Sequence, residues 1–116
     1  MLSLTYISIR TDILDEDALN DIISLANRCN EQHKITGQLI SCPYFVVQTI
    51  EGEQPAIEQL FDNIKRDTRH FNVDIVERKE ISVREYSNWM AKKTISITEF
   101  ASKLRELGWS QPLGKH

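Results

Sequence analysis

Cysteine is scarce in this chain: Cys29 and Cys42 are two residues among 116. They form no C-x-x-C pair and cannot build a disulfide framework, so a reducing compartment is the expected home. Excess positive charge is missing as well. Fourteen Lys and Arg stand against seventeen Asp and Glu, a net charge of −3. That balance leaves no electrostatic footprint for nucleic acid or an anionic membrane. No apolar run approaches the length of a membrane span, and the N-terminus lacks a basic-then-apolar signal pattern. The three histidines, His33, His70 and His116, are scattered and make no metal-ligand spacing. Repeats and low-complexity segments are absent too. What remains is 41% apolar and 27% charged, the composition of one folded domain. The reading at this level is a cytoplasmic protein with no nucleic-acid and no membrane partner.

The apolar residues recur with periods that define elements. Leu2 to Ile9 is rich in β-formers. Leu2, Leu4, Tyr6 and Ser8 face one way and Thr5, Ile7 and Ile9 the other, which predicts a central strand. Leu19, Ile22, Ile23 and Ala26 recur at helical spacing, for a helix from about Asp15 to Asn30 or a little beyond. Ile35–Ser41 and Phe45–Glu51 read as strands around a Cys42-Pro43-Tyr44 turn, hence a hairpin. Gly52 ends it. Pro55 suits the first turn of a second helix, with Ile57, Leu60, Phe61 and Ile64 as its buried stripe and an end near Thr68. Val73, Ile75 and Ile81 suggest a fourth strand interrupted by charges, and Trp89 to Ile97 a fifth. Thr98 is the expected N-cap of a last helix carrying Phe100, Ala101, Leu104 and Leu107, with Gly108 as its stop and a loose tail beyond.

The order βαββαβ, with a further strand, is that of a ferredoxin-like α+β fold. It predicts an antiparallel sheet with two helices side by side on one face, plus a C-terminal helix. Between the two helices a groove would be floored by the sheet. The fold by itself assigns no function.

Three polar residues lie where apolar ones are expected. Gln48 sits between Val46 and Ile50 on one strand face, and a buried primary amide must find partners or be costly. Asn30 continues the apolar stripe of the first helix. Tyr6 shares a face with Leu2 and Leu4. Each has a plain alternative: a glutamine on an open sheet face or bonded to backbone, a helix C-cap for Asn30, and a core tyrosine bonded to a neighbour. In a ferredoxin-like fold the three can converge in the groove. A phenol and two amides suit a flat heterocycle edged with carbonyls and ring nitrogens. They do not suit a metal, nor hydrolysis, which needs a nucleophile in contact with a base.

With these residues in place, the chain resembles the BLUF family, blue-light sensors using flavin, over residues 1–94. Tyr6, Asn30 and Gln48 match the family in type and spacing. Ile35-Thr36-Gly37 matches its I-T-G, Gln48-Thr49-Ile50-Glu51-Gly52 its Q-x-L-E-G with Ile for Leu, and Asp67-Thr68-Arg69-His70 its D-x-R-H. The resemblance implies a flavin, FAD with FMN as the alternative, held between the helices. Asn30 would bond the pyrimidine edge, and Ile22 and Ile64 would sandwich the ring. Asn63 would lie near the flavin, and Asp67, Arg69 and His70 toward the ribityl and phosphate end. The last three also read plainly as a solvated helix end. The resemblance further implies that blue light draws an electron and a proton from Tyr6 by way of Gln48. Gln48 would then rotate, tautomerise or both, and the flavin would absorb further to the red.

Trp89 fits the family's switchable tryptophan, on the strand beside Gln48. Here the chain departs from the W-x-M pattern. It reads Trp89-Met90-Ala91, and a one-residue displacement in a strand sends Met90 to the opposite face unless a bulge restores it. Asn63 and Cys29 are lesser departures, at positions where family members carry other polar residues near the ring. The implied activity is sensory, not enzymatic. Residues 95–116, the strand end, helix and tail, would either cap the sheet or pass the signal to a separate effector protein or through a homo-oligomer. A different class stays open: a ferredoxin-like binding module or small enzyme holding no flavin.

Overall fold

The computed structural model describes residues 1–92 and 95–109. Strand β1 (Leu2–Arg10) leads to helix α1 (Glu16–Gln32), then strands β2 (Thr36–Ser41) and β3 (Phe45–Gly52). Helix α2 (Gln54–Arg66), strands β4 (His70–Glu80) and β5 (Trp89–Lys92), and helix α3 (Ile97–Glu106) follow. The expected continuation of the fifth strand through Lys93 and Thr94 lies outside the described residues, as does the tail after residue 109.

Local chemistry accounts for the helix starts. Asp15 is extended, and its carboxylate accepts from the Ala18 N–H at 2.9 Å, while Glu16 and Asp17 meet the positive end of α1. Pro55 occupies the first turn of α2, where its missing N–H costs nothing. Helix α3 begins two residues before the expected place. Ser96 is its N-cap, accepting from the Glu99 N–H at 3.1 Å, and Thr98 lies inside the helix.

The sheet order is β4-β1-β3-β2-β5. The first four strands pair antiparallel, as the ferredoxin-like order predicts. The fifth does not: β5 pairs parallel to β2, so the sheet is mixed rather than wholly antiparallel. The reason is topological. The chain leaves β4 on one edge and re-enters on the other edge from the same end of the sheet, which aligns β5 with β2. The fourth strand also differs from expectation. It is one continuous run of eleven residues, and its charges interrupt nothing. It lies on the edge, where charged side chains reach water and discourage edge-to-edge pairing. Its pairing to β1 shifts register twice, and Asn72 near the second shift has φ of +51°.

Alternation along the strands divides the core. On one face Leu2, Leu4, Tyr6 and Ile50 pack against Ile57 and Phe61 of α2. Beside them Leu39, Val46 and Trp89 pack with Leu14 and with Leu19 of α1. On the other face Ile7, Ile40 and Val47 are covered by Phe100 and Leu104 of α3. Each such side chain, fully buried, contributes about 1.5–3 kcal/mol. Helix α3 therefore occupies the apolar sheet face that would otherwise be exposed. No described helix is long and apolar enough to cross a membrane.

Candidate functional site

A cleft of about 260 Å³ opens between α1 and α2, above the centre of the sheet. Tyr6, Ile22, Asn30, Gln48, Asn63, Ile64, Asp67, Arg69 and His70 all line it. Trp89 is not among its walls but touches it through Gln48. Every site residue expected from the sequence thus falls on one side of the sheet, around one cavity.

Gln48 stands at its floor with 6% of its surface exposed. Its amide nitrogen donates to the Tyr6 hydroxyl at 2.7 Å. Its amide oxygen accepts from the Trp89 indole N–H at 2.9 Å. The open-face and backbone-bonded alternatives are both excluded. An indole N–H is a donor only, so its presence decides the orientation of the amide: oxygen toward Trp89, nitrogen toward Tyr6. One of the two amide hydrogens is used on Tyr6, and the other remains for a ligand.

Tyr6 is buried beside Phe61, with ring centroids 5.8 Å apart. Burial pushes its phenol well above the usual tyrosine range. The Gln48 hydrogen bond counters part of that shift, and the negative charge of Asp67 adds to it. The phenol is therefore neutral at physiological pH.

Asn30 does not cap α1. The helix continues to Gln32 and its C-cap is His33. Asn30 is buried, and among the described residues its side-chain amide has no hydrogen-bond partner. Ile22 from α1 and Ile64 from α2 stand on the two sides of the cleft, each half-buried. An apolar slot with two amides offering unspent hydrogen-bonding capacity suits a planar ring with polar edges.

At the mouth, Arg69 is clamped by Asp67. Its Nε and Nη2 donate to the two carboxylate oxygens at 2.9 and 2.6 Å. Those bonds hold the Asp67 carboxyl below its ordinary range, and the pair raises Arg69. His70 is committed differently. Its Nδ1 lies 2.7 Å from the Ser8 hydroxyl, and its Nε2 2.7 Å from the Ile64 carbonyl. Because a carbonyl only accepts, Nε2 carries a hydrogen. His70 ties β1 to the end of α2 and lines the cleft with its ring. Asn63 is exposed and accepts from Gln59 at 3.3 Å.

The structure revises one sequence expectation here and decides a second that was left open. Trp89 lies on β5, which is separated from β3 by β2, so its strand is not the neighbour of Gln48's strand. Its indole reaches Gln48 across β2, where its ladder partner is Gly37. A Cβ on Gly37, with φ of +149°, would sit 1.9 Å from the Thr49 carbonyl oxygen, so no other residue fits there. Met90 is the second. No bulge brings it to the site: it is 49% exposed, while Ala91 packs with the cluster around Trp89.

Some wall residues carried no special sequence signal. Leu14 belongs to the β1–α1 loop and has no periodicity to mark it. It is held by Arg10, whose guanidinium donates to the Leu14 carbonyl at 2.7 and 3.1 Å and to that of Cys42 at 2.8 Å. Leu39 and Val46 could have been found by alternation, since both share the Gln48 face.

The model of the family described as "BLUF: Sensors of blue-light using FAD" matches residues 1–92. The chain is 37% identical over 90 residues to photoactivated adenylate cyclase subunit beta of Euglena gracilis, covering 77% of this chain and 10% of that protein. It is 30% identical over 73 residues to the blue light- and temperature-regulated antirepressor BluF of Escherichia coli K12, covering 60% of this chain and 18% of that one. The chain thus spans about a tenth of the length of the cyclase subunits it matches. Among solved structures it is similar to the ground state of BlsA, with a TM-score of 0.77 and 27% identity over 95% of this chain and 74% of that one.

Proposed function

The chain belongs to the BLUF family, sensors of blue light using FAD, and on that premise we propose that its signal arises in the row Tyr6–Gln48–Trp89. The observation that carries the proposal is the doubly anchored amide of Gln48, bonded to a phenol on one side and an indole on the other. Flavin is the family's cofactor, and Ile22 and Ile64, on the two sides of the cleft, would hold its ring. Asn30 and the second amide hydrogen of Gln48 would bond its polar edges, and Arg69 and Asp67, at the mouth of the cleft, would meet the rest of the molecule. When bound, the flavin supplies absorption of blue light and a transient place for an electron.

The remaining steps belong to the protein. Tyr6 would supply an electron to the excited flavin and pass its phenolic proton to Gln48, and both would come back to the phenol as the dark state is restored. In the dark arrangement Gln48 presents nitrogen to Tyr6, so its amide cannot accept the Tyr6 hydrogen there. Moving a proton through Gln48 requires its oxygen to turn toward Tyr6. That rotation would set the amide NH2 against the Trp89 N–H. An unmet buried donor costs about 1–3 kcal/mol. Two outcomes avoid the cost. Trp89 leaves the amide, or Gln48 rests as its imidic-acid tautomer, whose nitrogen keeps a lone pair for the indole. In the first the edge strand β5 moves; in the second it stays. A rearranged hydrogen bond in a low-dielectric site is enough to bias such a two-state element.

We read residues 1–94 as the sensor and residues 95–116 as the segment through which its state reaches a separate effector. The module itself turns over no substrate. An absorption spectrum tests the reading. Purified protein loaded with FAD or FMN is expected to be yellow and to shift reversibly to the red after blue illumination. Protein that remains colourless when offered either flavin would overturn it.

A further inference from the structure

Glu51 is the most deeply buried carboxylate among the described residues, at 1% exposure. It lies three residues after Gln48 in β3, so its side chain leaves the opposite face of the sheet. Burying a carboxylate is costly unless donors surround it. Three do. The Thr36 hydroxyl donates to Oε1 at 2.9 Å, and the backbone N–H groups of Glu85 and Tyr86 donate to Oε2 at 2.9 Å and Oε1 at 3.2 Å. Arg84 adds a brace, its Nη1 donating to the Thr36 hydroxyl at 2.8 Å and to the Glu51 carbonyl at 3.0 Å.

All of these partners except Thr36 lie in residues 81–88, which cross from β4 to β5 on the far side of the sheet. This connection ends at Trp89. The four-residue strand that follows is an edge strand, and among the described residues β2 is its one ladder partner. Its first ladder contacts are the Gly37 N–H donating to the Asn88 carbonyl at 3.1 Å, and the pairing of Gly37 with Trp89. Thr36, which the clamp grips, is the residue next to Gly37. The carboxylate thus fastens the incoming chain three residues before Trp89, at the strand end where the parallel ladder begins.

We propose that Glu51 is a positioning residue for the light reaction: its carboxylate, gripping Thr36 and the 84–86 turn from behind the sheet, holds the Trp89 indole on the Gln48 amide. The consequence for the photoreaction rests on the function proposed above, but the positioning does not. Glu51→Gln keeps the shape and replaces one acceptor oxygen by NH2. At least one N–H of the turn then faces another donor. The turn loosens, and the Trp89–Gln48 bond with it.

The test reads the Trp89 indole N–H directly. In a Trp109→Phe background Trp89 is the only tryptophan, so flavin-loaded protein kept in the dark shows a single indole signal by NMR. Glu51→Gln is expected to speed hydrogen exchange of that N–H by about ten-fold, the factor that follows from losing one buried hydrogen bond. The Leu4 amide, within β1, should exchange as before. If Glu51→Gln does not fold, Arg84→Met removes only the outer brace and should act in the same direction by a smaller factor. Unchanged indole exchange in a folded variant overturns the proposal, and so does an equal rise at Leu4, which would mean general destabilisation. Glu51→Gln should also change the rate of dark recovery, and lose that effect once Trp89→Phe is present; an effect that persists without the indole overturns it too. Because indole exchange needs no light, its failure is separate from a missing red shift, which would count against the photosensor reading instead.

Discussion

The two faces of one sheet do different work in this protein. Facing α1 and α2, the strands present Tyr6, Gln48 and Leu39 to a cleft that side chains do not fill. Facing α3, their sequence neighbours Ile7, Val47 and Ile40 meet Phe100 and Leu104 in a closed core. Successive residues of the same strand therefore belong to a site and to a scaffold in turn. The site face accepts incomplete packing and anchored polar groups, and the closed face secures the strand positions that hold those groups in register. The faces meet at Glu51, where the far side grips the chain that delivers Trp89 to the near side.

The sharpest way to break this division is to change each face alone. Gln48→Leu should abolish the light-induced red shift while the protein stays yellow, and Tyr6→Phe should do the same; both are read in light-minus-dark difference spectra. A normal photocycle in Gln48→Leu would show that the amide row is not the origin of the signal. Phe100→Ala should do the opposite. It is expected to cost about 3–5 kcal/mol in denaturant unfolding, as aromatic truncations in closed cores do, with the dark absorption maximum unmoved. A displaced maximum would mean that the faces are not separable.

Smaller effects are expected at the mouth of the cleft. The Asp67–Arg69 pair is partly exposed, so Asp67→Asn should weaken flavin binding only a few-fold at neutral pH, on the scale of about 0.2–1 kcal/mol. The pH dependence has a definite sign. Arg69 lowers the folded-state value of Asp67 below that of an unfolded aspartate, about 3.9. The stabilisation is therefore full above that value and is lost as pH falls through the lower, folded one. An acid titration of folding stability should show a component below about pH 4 that Asp67→Asn removes. The smallest effect belongs to Met90. Exposed on the face away from Gln48, it should tolerate Met90→Ala within about 0.5 kcal/mol and with an unaltered red shift. A clear spectral change would place Met90 in the signalling path after all.

Periodicity alone determined much of this molecule. Alternation in Leu2–Ile9 and Phe45–Glu51, and the helical stripes through Ile22 and Ile64, were sufficient for the element order, the ferredoxin-like pairing of four strands and the groove between the two helices. Three polar residues on apolar faces were sufficient to mark where the groove has chemistry, because a buried amide or phenol without a purpose is expensive. Tertiary structure alone decided the rest. The parallel pairing of β5, the path of the Trp89 indole over Gly37 and the placement of Leu14 by Arg10 depend on contacts between residues far apart in the chain, to which local pattern is blind. The role of Glu51 shows the limit most directly. In sequence it is the acidic member of Gln48-Thr49-Ile50-Glu51-Gly52, with nothing local to say what surrounds it. Only folding brings Thr36 and the 84–86 turn around it, because the donors that make a buried charge tolerable come from two other segments of the chain.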